Sequence, residues 1–543
     1  MKMNFIKKHT TLSILVIFLL ISILEVLVYF GNGPFSLQWD GLFHMSRLTE
    51  SYLSIKDGSI LNAVPDTMTK SFFGFAYPQN LFYPIYTILP EVFIRLIVVN
   101  GWNAYIIFTI LCNFLVLTSM YVFTNLMIKN KLRAYIASVL YGLSQFTLGL
   151  YFYYHTISGF VDLIFIPMVF YGIYQIALKN KQRWWILTFG MTLVILTDLP
   201  DSIPILLMVI ITFGLSMTKF KFKEILTRFA YLCLSGLTCL LLSGFFIFPM
   251  LNALKVTDIN VASPKLYDTA PMLSSILLNT DKGNFYSIGI VGTFALVCII
   301  MSFKKMNLVF RYLTIEVIFF ILLWSNQFPW QMFQNELRFL QFTGRFAYIV
   351  VFLIALIAAT VFSSKTLKYL APILTIVGIS SSLALNFSSI DVNSQNMIKI
   401  SSQNYNKASM SCETLDYIPK KAYVVKPILE SHSVIQANKN LAIVQDQRST
   451  SYNTVNYEIK SKNNISNLVL PNVYYPGMHV YVNNREVKIK QNQHQLMVVP
   501  VNSKSAKISV EYQKTKLQII SGCISLFTLI GMIIYLVFSK RKS

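Results

Sequence analysis

In the stretch WDGLFHMSR, residues 39–47, Asp40, His44 and Arg47 follow one another at intervals of four and three in a chain that is otherwise largely apolar. If the segment is helical, all three stack on one face. An acid and a histidine on an exposed face can abstract a proton or hold a divalent ion, and an arginine can grip a phosphate through two parallel N–H donors. The competing reading is an amphipathic helix in the membrane interface whose polar face neutralises itself. Spacing does not separate the two.

Further candidates recur along the chain. GFAYPQNLFYP, residues 74–84, carries Tyr77 and Tyr83 in a turn rich in aromatics and proline, which suits an aromatic belt at headgroup level or a substrate contact. His155, in YFYYHTISG, reads as an interface histidine among tyrosines or as a base. Asp162, in FVDLIFIPMVFYG, runs straight into an apolar segment, where an acid without a role is costly. Asp198 and Asp201 bracket Leu199-Pro200 and are candidates to cap a helix starting near Ile203, with Asp201 as N-cap and Pro204 just inside. Arg338 and Arg345 lie in LRFLQFTGRF, and Arg345 opens a long apolar segment. Both suit either snorkelling side chains or partners for a lipid phosphate.

The elements that must position these groups follow from composition. Of 543 residues 55% are hydrophobic and 13% charged, and the mean hydropathy is +0.56. This balance excludes a soluble globular domain. Apolar runs at 10–30, 102–127, 134–151, 157–178, 184–198, 202–218, 229–249, 286–303, 309–326, 343–363, 369–387 and 516–538 predict about twelve transmembrane helices. The first follows Lys2, Lys7 and Lys8 but lacks a small-residue cleavage site, so it reads as a retained helix.

The net charge of +23 sits mainly in short turns: Lys129, Lys131 and Arg133; Lys179, Lys181 and Arg183; Lys219, Lys221, Lys223 and Arg228; Lys304 and Lys305; Lys365 and Lys368; and Lys540, Arg541 and Lys542. Placing these turns in the cytoplasm satisfies the positive-inside rule at every alternate loop. The charge therefore reports topology rather than a nucleic-acid partner. Both termini are then cytoplasmic, and 31–101, 250–285, 327–342 and 388–515 are external. Within the first external loop, residues 84–99 suit a helix lying in the interface. Five of the six cysteines fall in or beside apolar runs, with only Cys412 in an external segment, and no disulfide framework or metal-ligand spacing is present.

Residues 388–515 change character. HVYVNNREVKI predicts a hairpin turning at Asn483-Asn484, and LMVVPV and AKISVEY supply two more strands. The expected organisation is a transmembrane domain at 1–387 with its long first loop at 31–101, a small external β-rich domain at 388–515, and a last helix with a basic tail at 516–543.

WDGLFHMSRL, GFAYPQNLFYP, LTDLPDS, LRFLQFTGRFAY and LPNVYYPGMHVYVNN together resemble the GT-C superfamily of polytopic membrane glycosyltransferases, nearest to bacterial YfhO-like and 6-pyruvoyl-tetrahydropterin synthase-related membrane proteins. That name carries no pterin chemistry. The resemblance implies a GT-C-like α-helical polytopic fold in a bacterial plasma membrane and a glycosyltransferase that uses a polyprenyl-phosphate-linked sugar donor. It implies an external active site whose catalytic acid, carried onto this chain, is Asp40. Such an acid deprotonates the acceptor hydroxyl or binds a divalent metal ion such as Mg or Mn, and a basic group, Arg345 or Arg338, stabilises the leaving phosphate. The expected acceptor is a cell-envelope glycan or teichoic acid. The chain departs from the pattern at Thr197-Asp198, where relatives often have histidine, which leaves metal use and acceptor class open. Two rivals remain. A flippase for lipid-linked oligosaccharides predicts charges at mid-membrane and broken helices. A non-catalytic envelope assembly protein predicts that Asp40 is dispensable.

Overall fold

Apolar runs that cross a bilayer must satisfy their backbone polar groups internally, and this chain does so with helices. The computed structural model describes residues 2–31, 35–37, 39–74, 76–259, 264–278, 286–390, 398–411, 416–431 and 443–542. Cys412 lies outside the described residues.

In chain order the main elements are α1 (Lys2–Gly31), β1 (Phe35–Leu37), α2 (Trp39–Asp57), α3 (Leu89–Val98), α4 (Gly101–Ile128), α5 (Lys131–Gly142), α6 (Gln145–Phe152), α7 (Ile157–Leu178), α8 (Trp185–Ile195), α9 (Leu199–Met217), α10 (Phe222–Val256), α11 (Gly289–Ser302), α12 (Leu308–Trp324), α13 (Trp330–Leu337), α14 (Ala347–Val361) and α15 (Ser364–Ile390). They continue through β2 (Ile398–Ile400), β3 (Ile443–Ser451), β4 (Thr454–Val473), β5 (Met478–Val482), β6 (Arg485–Val487), β7 (Lys490–Gln491) and β8 (Leu496–Tyr512) to α16 (Lys516–Lys542). Seven helices among the described residues are long and apolar enough to cross a membrane, fewer than the twelve runs read from hydropathy. Most of the other runs form shorter helices.

Two helix boundaries differ from expectation. The run at 134–151 is not one helix: it breaks into α5 and α6, because Ser144 turns to extended backbone and its hydroxyl caps the amide of Thr147 at 3.2 Å. The helix expected near Ile203 starts at Leu199 instead. Its N-cap is Asp198, not Asp201, with Asp198 accepting from the Asp201 amide at 3.3 Å and Pro200 in the first turn, where no amide is needed.

Contacts divide the chain into two compact units. The first comprises Met1–Gly41, Trp102–Leu240 and Ser263–Ser402. Its hub is α14, buried from Ala347 to Ala359 and packed by α5, α7, α11 and α12. α7 and α8 approach closely at Gly172, where a Cβ would meet the Leu187 backbone nitrogen at 2.4 Å. β1 and β2 pair as a short antiparallel ribbon.

The second unit comprises Leu42–Gly101, Leu241–Ala262 and Gln403–Ser543. Its sheet is antiparallel throughout, in the order β3-β4-β8-β5-β6, with β7 paired to β8. Val455, Tyr457 and Ile459 on β4 and Ile508 and Val510 on β8 are buried, so alternate residues point to a packed face. The hairpin at Asn483-Asn484 has the expected register, Val482 opposite Arg485, and both asparagines hold positive φ, 47° and 65°. The two strands expected at LMVVPV and AKISVEY are one continuous strand, β8, whose partner β4 absorbs register shifts near Ile465. α3 is apolar outward: Glu91 and Arg95 are buried while Phe93 and Ile97 are exposed, which suits a helix lying in the interface. The Ser525 hydroxyl donates to the Leu241 carbonyl at 2.7 Å and accepts the Phe245 amide at 3.1 Å, tying α16 to α10.

Candidate functional site

The polar centre of the first unit forms where the N-terminal ends of α7 and α9 meet the turn before α14. Asp198 is fixed by its capping role, Asp201 follows in the first turn of α9, and Asp162 projects from the second turn of α7. All three are buried. Arg345, in the turn Thr343–Phe346, engages all three of its nitrogens: Nη1 pairs with Asp201 and with Asp198 at 3.4 Å, while Nη2 donates to Gln341 Oε1 at 2.7 Å and Nε to the Leu340 carbonyl at 2.8 Å. Ser158 donates to Asp198 Oδ2 at 3.3 Å, and Asp162 feels Asp201, Asp198 and Arg345. The Tyr348 hydroxyl reaches Asp201, and it fits because residue 159 is glycine: a Cβ there would lie 2.4 Å from that oxygen. Asp198 and Asp201 share the Arg345 cation, whereas the buried carboxylate of Asp162 makes no ion pair with it.

Asp40 is exposed in the first turn of α2. Tyr286 links it to the buried acids, since Asp40, Asp201 and Arg345 all act electrostatically on that one phenol. The Tyr286 ring packs against Tyr154 at 4.7 Å and Phe146 at 5.6 Å. An accessible carboxylate thus lies within electrostatic reach of an aromatic cluster whose Tyr286 ring packs against the turn that carries Arg345.

Arg338 is exposed at the start of the turn Arg338–Leu340, which packs on α9. It is the more accessible of the two arginines expected to meet a phosphate; Arg345 is already occupied by carboxylates. His155 corrects the expectation of a substrate contact. It is fully buried, its Nε2 lies 2.9 Å from the Tyr29 hydroxyl and its Nδ1 3.3 Å from that of Tyr105, and burial pushes its pKa down to about 3. It is a neutral packing residue.

The remaining candidates belong to the second unit, where His44, Arg47 and Tyr77 are buried and Tyr83 is half-buried. The helix expected from Asp40 onward forms, but the three residues do not share one environment: Asp40 is exposed, whereas His44 and Arg47 are buried. Arg47 Nη2 donates to the carbonyls of Tyr83 at 2.9 Å and Pro84 at 2.7 Å, and its guanidinium lies 4.5 Å from the Tyr83 ring centroid. It holds the aromatic turn rather than a phosphate. His44 stacks edge-on against Tyr83, and burial, then Arg47, holds its pKa well below the usual histidine value. Tyr77 is fully buried and pairs its backbone with Met68. Glu50, one turn beyond Arg47, accepts the amides of Thr69 at 2.6 Å, Lys70 at 3.1 Å and Ser71 at 3.0 Å, clamping the same loop.

Sequence reasoning missed Ser158, Gln341, Tyr286 and Tyr348. Ser158 precedes Asp162 by four residues, so helical spacing offered a signal for it; nothing marks the others among so many aromatics. Among the described residues no group of three or more His, Cys, Asp or Glu side chains is arranged to hold a metal ion. Arg345 stands where a cation between Asp198 and Asp201 would be, so a divalent ion does not fit this centre as built.

Residues 82–390 match the family described as 6-pyruvoyl-tetrahydropterin synthase related domain, membrane protein. The chain belongs to this family. The match includes Tyr83, His155, Asp162, Asp198, Arg338 and Arg345, though not Asp40. Residues 429–536 match a second description, bacterial membrane protein YfhO. An uncharacterized protein of Lactococcus lactis subsp. cremoris (strain MG1363) is 27% identical over 275 residues, spanning 48% of this chain and 42% of that protein. Two solved structures share weaker likeness. One is arabinofuranosyltransferase AftD from Mycobacteria, with 13% identity, TM-score 0.43, and coverage of 68% of this chain and 26% of that one. The other is ArnT from Cupriavidus metallidurans bound to undecaprenyl phosphate, with 9% identity, TM-score 0.36, and coverage of 77% and 81%. At these scores neither decides fold or activity.

Proposed function

We propose that this family member is a membrane glycosyltransferase that moves a sugar from a polyprenyl-phosphate carrier to a hydroxyl of a cell-envelope glycan or teichoic acid at the external face. The observation that carries the reading is the buried Arg345–Asp201–Asp198 network, with the Tyr286 ring against Gly344 of the same turn and exposed Asp40 within electrostatic reach of that phenol. Asp40 takes the proton of the acceptor hydroxyl. The acceptor oxygen then bonds to the anomeric carbon as the bond from that carbon to the phosphate oxygen breaks, and the carrier leaves as its phosphate. Arg338 meets the charge that develops on that phosphate. Arg345 positions Asp198 and Asp201, and the aromatic wall of Tyr154 and Tyr286 gives a sugar ring an apolar face to stack on. No step requires a metal.

A second reading, a flippase for lipid-linked glycans, is favoured by ionisable groups within helices. Glu25 on α1 accepts from Asn113 at 2.6 Å, and Glu316 on α12 accepts from Thr212, both buried. The broken α5–α6 run points the same way.

The test is to express wild type and Asp40→Asn in a strain lacking the protein, match their membrane levels, and compare envelope glycans by mass spectrometry. Loss of a sugar modification with Asn at position 40 is the expected result. Unchanged glycans would sink the catalytic assignment of Asp40. A carrier-linked sugar accumulating on the cytoplasmic side in the absence of the whole protein, but not in the Asp40→Asn strain, would favour the flippase.

A further inference from the structure

A cavity of about 370 Å³ lies in the first unit at the ends of α7 and α9 remote from the acid cluster. The order of residues along the helices fixes its orientation. At the inner end Thr212 of α9 bonds Glu316 of α12, its hydroxyl 3.1 and 3.0 Å from the two carboxylate oxygens. Phe170, Leu178, Phe310 and Leu313 make the walls apolar. Lys179 and Lys219, both exposed, stand at the mouth just beyond the C-terminal ends of α7 and α9. Among the described residues Glu316 is the one acid on the lining, and it sits at the far end.

We propose that this cavity holds an acyl chain of an anionic glycerophospholipid whose phosphate lies between Lys179 and Lys219. An alkyl chain is the occupant that gains from the apolar walls, and much of the polar lining is already engaged: Thr212 bonds Glu316, Ser216 donates to the Thr212 carbonyl, Asn307 accepts the Phe310 amide and Tyr312 meets Thr218. Among the described residues the mouth carries two ammonium groups and no carboxylate, so the head is an anion, and lysines on such stems reach the headgroup layer. A free phosphate satisfies the lysines but leaves the walls uncovered. Bound there, the lipid ties the C-terminal ends of α7 and α9 to the N-terminal end of α12. The other ends of α7 and α9 carry Asp162 and Asp201, so the lipid steadies the helices that hold the acid cluster. This inference does not depend on the glycosyltransferase reading.

The full chain, purified in detergent and stripped of lipid, is heated with phosphatidylglycerol, with phosphatidylcholine of the same chains, or with inorganic phosphate. Phosphatidylglycerol is expected to raise the melting temperature by several degrees, phosphatidylcholine far less, and inorganic phosphate not at all. The double variant Lys179→Gln, Lys219→Gln should melt like wild type without lipid and bind phosphatidylglycerol about 30-fold more weakly. Ser216→Phe, which fills the cavity, should lose the shift; if it fails to fold, the rim variant decides alone. Equal shifts with the two lipids, a shift with phosphate alone, or an undiminished preference in the rim variant each overturn the proposal.

Discussion

At the scale of single residues, the network around Arg345 sets the first prediction. Its side chain is 10% exposed, and those of Asp198 and Asp201 are 5% and 3% exposed. Arg345→Met leaves buried carboxylates without their cation and should cost about 3–5 kcal/mol, read as a lower melting temperature in detergent. Arg345→Lys should recover only part, because an ammonium cannot serve two acids, an amide and a carbonyl set around a planar fork. Melting unchanged in Arg345→Met would refute the network. Glu91 sets the second prediction. Burial raises its pKa from 4.5 to about 7, against the pull of Arg95. Below the unfolded value both states hold the proton and folding loses nothing. As pH rises toward 7 the unfolded chain ionises while the fold keeps Glu91 protonated, so stability falls, levelling off above the folded value. A shift of this size corresponds to about 3 kcal/mol at most. Glu91→Gln should therefore flatten the decline in melting temperature between about pH 5 and pH 7.5; an identical decline in the variant would count against it. These residues also show what sequence can carry. Periodicity places Asp40, His44 and Arg47 on one helical face, but not which way that face looks, and the inward turn of His44 and Arg47 depends on carbonyls of Tyr83 and Pro84 far along the chain.

At the scale of elements, local chemistry is legible where it is self-contained. The Asn483-Asn484 hairpin needs only two residues tolerant of positive φ between alternating strands. The start of α9 is ambiguous in sequence because Asp198 and Asp201 are both competent caps, and the choice rests on the extended backbone at Asp198. β4 does not announce itself as a 20-residue strand because its middle, KSKNNISN, offers no apolar alternation and pairs only with register shifts. Packing of α7 on α8 gives the third prediction. A methyl group at Gly172 would lie 2.4 and 2.5 Å from the Leu187 backbone nitrogen and Cα, which cannot rotate away as a side chain would. Gly172→Ala should push the helices apart at a cost of about 1–3 kcal/mol or more. Gly214, inside α9 with nothing within 4 Å of the place a methyl group would take, is the control: Gly214→Ala should leave stability unchanged or raise it by up to about 1 kcal/mol. Equal melting of the two variants would show that α7 and α8 do not meet this closely.

At the scale of the whole molecule, arginines in and beside the basic turns close helix ends. Arg133 donates to the carbonyls of Ala359, Thr360 and Phe362 at the C-terminal end of α14, at 3.1, 2.7 and 3.2 Å. Arg228 donates to Ile176 near the end of α7 at 2.6 Å, and Arg311 to Phe303 and Met306 just beyond α11 at 3.1 and 3.0 Å. Each arginine satisfies at least one carbonyl at a helix end, Ala359 and Thr360 of α14, Ile176 of α7 and Phe303 at the C-cap of α11, at the negative end of the helix dipole. All three capped helices therefore end among basic turns, and the acids Asp162, Asp198 and Asp201 lie at helix starts. This polarity within the first unit supports the proposed orientation, with the basic ends cytoplasmic and the acid cluster external. The corresponding prediction uses a chain whose cysteines are replaced, carrying either Lys305→Cys in a basic turn or Asn484→Cys at the hairpin tip. An impermeant thiol reagent on intact cells should label position 484 and reach position 305 only after permeabilisation. The reverse pattern would place the acid cluster in the cytoplasm. A carrier-linked donor would then have to act before crossing the membrane, and an acceptor in the outer envelope would no longer be within reach of Asp40.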